Sequence, residues 1–148
     1  HFPGKIVPID VSTMPIIAQK TAFLACESGV SMDIYLQEKI SAGFFGGEGF
    51  IMQRFSGNGY AFLEIDGGFV QKELQANEEI VIDSGYLAAM DMSCTMRIER
   101  IKGIGNVVLG GEGLFNTIVT GPGKVWLQTM PLSTFVEGII PHLPFKRE

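Results

Sequence analysis

Apolar and polar residues alternate in short runs along most of this chain. Val30, Met32, Ile34 and Leu36 alternate with Ser31, Asp33 and Tyr35, and Ala61, Leu63 and Ile65 with Tyr60, Phe62 and Glu64. A period of two sends successive side chains to opposite faces, so each run predicts a strand. Shorter apolar runs at 5–10, 15–18, 22–26, 40–45, 69–74, 80–83, 86–90 and 106–109 predict further strands. Pro8 places the first of these at a sheet edge, because proline cannot donate a ladder bond. Residues 94–101 alternate imperfectly, which predicts a strand with a bulge near its end. Asp66-Gly67-Gly68 reads as a hairpin turn, with residues 69–74 as the returning arm. Only residues 132–140 have helical character: Thr134 and Glu137 have capping-box spacing and Pro141 is a natural stop.

Part of this pattern occurs twice. Gly46-Gly47-Glu48-Gly49-Phe50-Ile51 precedes Ser56-Gly57-Asn58-Gly59-Tyr60-Ala61-Phe62-Leu63-Glu64. Gly110-Gly111-Glu112-Gly113-Leu114-Phe115 precedes Thr120-Gly121-Pro122-Gly123-Lys124-Val125-Trp126-Leu127-Gln128. The offset is constant: Gly46 to Gly110, Gly57 to Gly121 and Leu63 to Leu127 are the same distance along the chain. Two copies in register imply one unit used twice. The expected units run over about residues 20–67 and 83–131. Aligning Leu24 with Leu87 shortens the offset by one at that strand, which implies one added residue before the second glycine motif. Phe62 and Trp126 recur on the less regular face, which is suited to core packing or to cover by another sheet or subunit. The expected fold is all-β: one domain, a β-sandwich or a double-stranded β-helix-like barrel built from two internal repeats, with a short C-terminal helix.

Composition narrows the function. Hydrophobic residues make up 46% of 148 and charged residues 18%, enough for a sizeable core. The net charge is −5 and the basic residues do not cluster. Sequence-independent nucleic-acid binding needs a basic footprint, and docking on anionic lipid needs basic residues. Neither fits. No apolar run is long enough for a membrane-spanning helix. Cys26 and Cys94 stand in no CxxC motif and read as reduced thiols. The N-terminus shows no signal peptide and no initiator methionine. The expectations are a fragment or processed chain, cytoplasmic if bacterial and mitochondrial only if eukaryotic.

Catalytic constellations are scarce. His1 and His142 cannot build a three-histidine metal site, and no Gly-x-Ser-x-Gly elbow or phosphate loop occurs. Asp66, Asp83, Glu78 and Glu79 lack calcium-loop spacing. Glu48 and Glu112, repeated at one glycine turn, are the polar candidates. They would form an acid/base pair if the fold brought them together, and otherwise accept N–H bonds of their own turns. No catalytic, cofactor or metal residue is assigned; Glu48, Glu112, Phe62 and Trp126 are the candidates for binding or interface roles.

The glycine motifs, with Phe2-Pro3-Gly4-Lys5-Ile6, Ala22-Phe23-Leu24-Ala25, Asp66-Gly67-Gly68 and Gly121-Pro122-Gly123-Lys124-Val125-Trp126-Leu127-Gln128, resemble the altered-inheritance-of-mitochondria (mitochondrial biogenesis) family. The resemblance implies a fold similar to the trp RNA-binding attenuation protein, no assigned catalytic residues, and one more repeat-like unit before Phe2-Pro3-Gly4. The leading expectation is a non-catalytic oligomeric scaffold or binding domain, associating with itself or a protein partner. The alternatives are a small-ligand- or RNA-binding ring and a cupin-like hydrolase using Glu48 and Glu112.

Overall fold

The computed structural model describes residues 3–38, 49–100 and 115–144. The described residues form twelve strands, β1 (Gly4–Asp10), β2 (Ile16–Gln19), β3 (Phe23–Cys26), β4 (Val30–Glu38), β5 (Phe50–Gly57), β6 (Tyr60–Asp66), β7 (Phe69–Leu74), β8 (Glu79–Asp83), β9 (Leu87–Asp91), β10 (Thr95–Arg100), β11 (Phe115–Thr120) and β12 (Gly123–Gln128). One helix, α1 (Leu132–Ile139), follows. Single 3-10 turns at Lys20–Ala22 and Ser84–Tyr86 lead into β3 and β9. The fold is all-β, as the alternating pattern predicts, and every described strand pairing is antiparallel.

The strands make three sheets. A six-stranded sheet has the order β4-β5-β2-β9-β12-β7; the other two have the orders β1-β6-β3 and β10-β11-β8. The large sheet is apolar on both faces because each face carries a core. Ile16, Ala18, Phe55, Ala88 and Trp126 from one face pack with Ile9, Ala61, Leu63 and Ile65 of β1 and β6. Ile17, Met52, Leu87, Met90 and Val125 pack on the other side with Ile82 and Val119 of β8 and β11. Double coverage explains the near-continuous apolar runs of β2 and β9, in which every residue is buried except the last of β9.

Three details differ from the sequence pattern. Asp66-Gly67-Gly68 does not close a hairpin: β7 pairs with β12, Phe69 opposite Gln128. Both edges of β6 are already occupied, by β1 and β3, so the chain leaves for another sheet. Gly67, at φ +72°, makes that exit, and Thr129 receives it. Register shifts lie in β4, between Ile34 and Leu36, and where β3 meets β6 and β9 meets β12, while the β10–β11 register runs unbroken from Thr95 to Arg100. The helix starts at Leu132, so Thr134 lies inside it and no capping box forms; the N-cap is Pro131, which makes no side-chain bond. Asp66 supplies the acceptor instead, its Oδ2 lying 2.9 Å from the Leu132 nitrogen.

Candidate functional site

Glu48 and Glu112 lie outside the described residues. Phe62 and Trp126 sit at corresponding places: Phe62 is opposite Ala25 and Trp126 opposite Ala89, each beside a register shift. Their surroundings differ. Trp126 is 3% exposed within the first core, whereas Phe62 is half-buried with its ring 6.4 Å from that of Tyr60. Trp126 has β7 and β9 on its two sides, with two layers packed on its sheet, which leaves its indole no route to solvent.

The best-defined polar cluster is one that the sequence pattern does not single out. Thr13, Met14, Pro15, Asp91, Met92 and Ser93 line a shallow depression of about 380 Å³. Asp91 ends β9, and its Oδ2 accepts the Lys124 backbone N–H at 2.7 Å. Ser93 Oγ and Cys94 Sγ both donate to the Pro122 carbonyl, at 2.8 and 3.5 Å. Burial, then the nearby Asp91 charge, pushes the Cys94 thiol up to about 11. A protonated, buried thiol is a poor nucleophile. These side chains brace the turn between β11 and β12, where Gly123 holds φ +142° and an added Cβ would meet Ser93, Cys94 and Asp91. Glu27 does the same for Gly57-Asn58-Gly59, its Oε2 accepting the Tyr60 N–H at 2.9 Å. Glu27 and Asp91 are two acids separated by the same offset as the glycine motifs, so the repeat spacing itself was the signal that could have found them.

The four acids considered for calcium point to separate partners. Asp66 caps α1 and Asp83 accepts from the Gly85 nitrogen. Glu78 bonds Lys72 and the Gln75 nitrogen. Glu79 takes a two-pronged bond from Arg97, at 2.7 and 3.2 Å. The carboxyls of Glu78 and Glu79 are held below the usual range, chiefly by the hydrogen bonds from Lys72 and Arg97 respectively. A carboxyl lowered in this way stays ionised and makes a poor general acid at neutral pH. Among the described residues no three His, Cys, Asp or Glu are grouped to hold a metal ion. His142 is exposed in the turn after α1.

Apolar surface is the more distinctive feature. Leu132, Phe135, Val136 and Ile139 of α1 continue into Ile140 and Leu143, and each is between 37% and 52% exposed. The spacing of three and four places Leu132, Phe135, Val136 and Ile139 on one helical face, and Ile140 and Leu143 follow in the turn after it. The outer strands β3 and β8 also carry exposed apolar side chains, Leu24 and Val81. No described helix is long and apolar enough to cross a membrane.

An all-strand domain with two cores flanking one sheet, no assembled reactive set among its described residues and an exposed apolar helix face defines the class. Within that class, residues 1–130 match the profile of the AIM24 mitochondrial-biogenesis family, and the chain belongs to that family. The solved structure of a Streptococcus pyogenes protein from a structural genomics programme is similar in fold, with a TM-score of 0.77 at 21% identity. The match covers 97% of this chain and 62% of that one, so this chain spans less than two thirds of the neighbour's length. No curated protein matches the chain.

Proposed function

We propose that this chain is a binding domain that works by association with protein surfaces and carries no reaction of its own. The observation that supports it is the apolar face of α1 and the turn after it. Six large apolar side chains are exposed there, on an element held at its start by the Asp66 cap. Exposed apolar patches of this kind mark interaction sites on protein domains. The polar clusters support the same reading, since each is spent on a turn, a helix start or a surface ion pair.

Replacing Val136 and Ile140 together with Glu tests it. Both positions are about half exposed, so the fold should hold. The expected outcome is loss of binding of an apolar dye and a smaller particle by light scattering than for the unaltered chain. Equal dye binding and an unchanged, monomeric particle for both chains would overturn the reading.

A further inference from the structure

The pairing register shows two sets of six strands wired alike, β1–β6 and β7–β12. Ala18 opposite Gln53 becomes Ile82 opposite Thr117, and Met32 opposite Phe55 becomes Met96 opposite Val119. Phe23 opposite Leu63 becomes Leu87 opposite Leu127. Each pair moves by the offset that separates the two glycine motifs. By ladder position Leu24 thus corresponds to Ala88, not to Leu87, and no residue is added at that strand. At one interior position the chemistry changes sharply: an arginine stands where the second set has an isoleucine. Arg54 lies between Asp33 of β4 and Ile17 of β2, and its counterpart Ile118 lies between Arg97 of β10 and Val81 of β8.

Ile118 is buried, so an aliphatic side chain serves at this place in the fold. Arg54 is half-buried, next to Ile17 and Met52, which are both fully enclosed. Its Nε is buried and has no hydrogen-bond partner. The guanidinium lies over the Tyr35 ring, 5.6 Å from its centre, and takes part in no ion pair among the described residues. Arg97 differs: Glu79 and Glu99 both hold it. A guanidinium carries five N–H donors and no acceptor, and drawing it out of water without an anion is costly. The face of Tyr35 offsets part of that cost but accepts none of the in-plane N–H bonds. Isoleucine at the counterpart shows that packing alone does not call for a charge here.

We propose that Arg54, with Tyr35 stacked on its guanidinium, is the binding group of a site for a small oxyanion, a carboxylate or phosphate group. Such an anion accepts two parallel N–H bonds in the guanidinium plane, and the ring of Tyr35 holds that plane. The site is separate from the face of α1 and does not rest on the association reading. It belongs to no open edge either, because β5 is an interior strand with β4 and β2 on its two sides. Asp33 is the competing carboxylate. It stands opposite Arg54 in the ladder but is exposed, and the guanidinium lies against Tyr35 without pairing with it. Its charge opposes an arriving anion, which keeps binding weak and gives the test a second variant.

The test is a titration of the 148-residue chain with inorganic phosphate and, separately, with acetate, each against sodium chloride of equal ionic strength. In a nitrogen–proton correlation spectrum the Nε–H resonance of Arg54 is expected to shift and saturate, and that of the already paired Arg97 to stay in place. Which of the two anions acts tells a phosphate site from a carboxylate site. Arg54→Ile is expected to stay folded, to be at least as stable in chloride, and to lose the anion-dependent rise in Tm of the unaltered chain. Its anion binding should weaken at least about tenfold, the usual worth of hydrogen bonds to a charged group. Asp33→Asn is expected to lower the anion concentration at half shift. An Arg54 resonance that neither anion moves overturns the site, whether or not the variants fold. An equal shift at Arg97 also overturns it and marks an adventitious ion only. So does an equal loss of stability in chloride for Arg54→Ile and Asp33→Asn without any anion-dependent gain in the unaltered chain, which makes Asp33 the partner of Arg54.

Discussion

At the scale of single residues, burial decides what each side chain is for. Trp126 has the chemistry of an interface anchor, yet it is enclosed by two layers and acts as core volume. Trp126→Ala should therefore cost about 3–5 kcal/mol of stability, read as a lower urea midpoint with an unchanged slope. Phe62→Ala, at a half-buried counterpart position, should cost clearly less in the same measurement. Cys94 gives a pH prediction. Its folded-state pKa is raised from 9.0 to about 11 by burial and by Asp91. A raised acid favours the folded state fully below pH 9, and that contribution is lost as pH rises towards 11. The Cys94→Ser variant should lose less stability than the parent between those limits in thermal unfolding. The folded parent should also label at Cys94 with a thiol reagent only on unfolding at about pH 8. Residue types and spacings were legible at this scale. Which of Phe62 and Trp126 is enclosed was not, because that depends on what lies over each face.

At the scale of elements, local pattern placed the strands and the start of the helix well, and misjudged a turn, a bulge and the helix cap. A strand needs only its own alternation to be recognised, so β4, β6 and β12 stand close to where the period of two puts them. Pairing is a contest between strands. Asp66-Gly67-Gly68 has hairpin chemistry, but β1 and β3 hold both edges of β6, and β7 goes to β12. The cap of α1 shows the same dependence. Thr134 and Glu137 have the local spacing, but the helix starts earlier, after Pro131, and the distant Asp66 provides the bond. Asp66→Ala should then cost about 1 kcal/mol, the usual value of a helix cap. It should do so with loss of helical signal by circular dichroism, whereas Thr134→Ala should change little.

At the scale of the whole molecule, the arrangement is two like-wired sets of strands sharing one six-stranded sheet. At the middle of that sheet β2 and β9 lie side by side, and they are its most fully buried strands. The outlying β3 and β8 each have one neighbour among the described strands. The family match over residues 1–130 and the similar Streptococcus pyogenes structure place the fold among relatives, and the 62% coverage shows that one such chain is longer.

The amino-acid sequence by itself determined the all-strand character, the recurrence at constant offset, the short terminal helix and the family, since these rest on periodicity, turn residues and motifs that are local or repeat at fixed spacing. Only the tertiary structure decided which strand lies beside which, that the central sheet is covered on both faces, and that Glu27 and Asp91 brace corners. Those outcomes depend on competition for hydrogen-bonding edges and for buried space between residues far apart in the chain, and a local pattern carries no record of that competition.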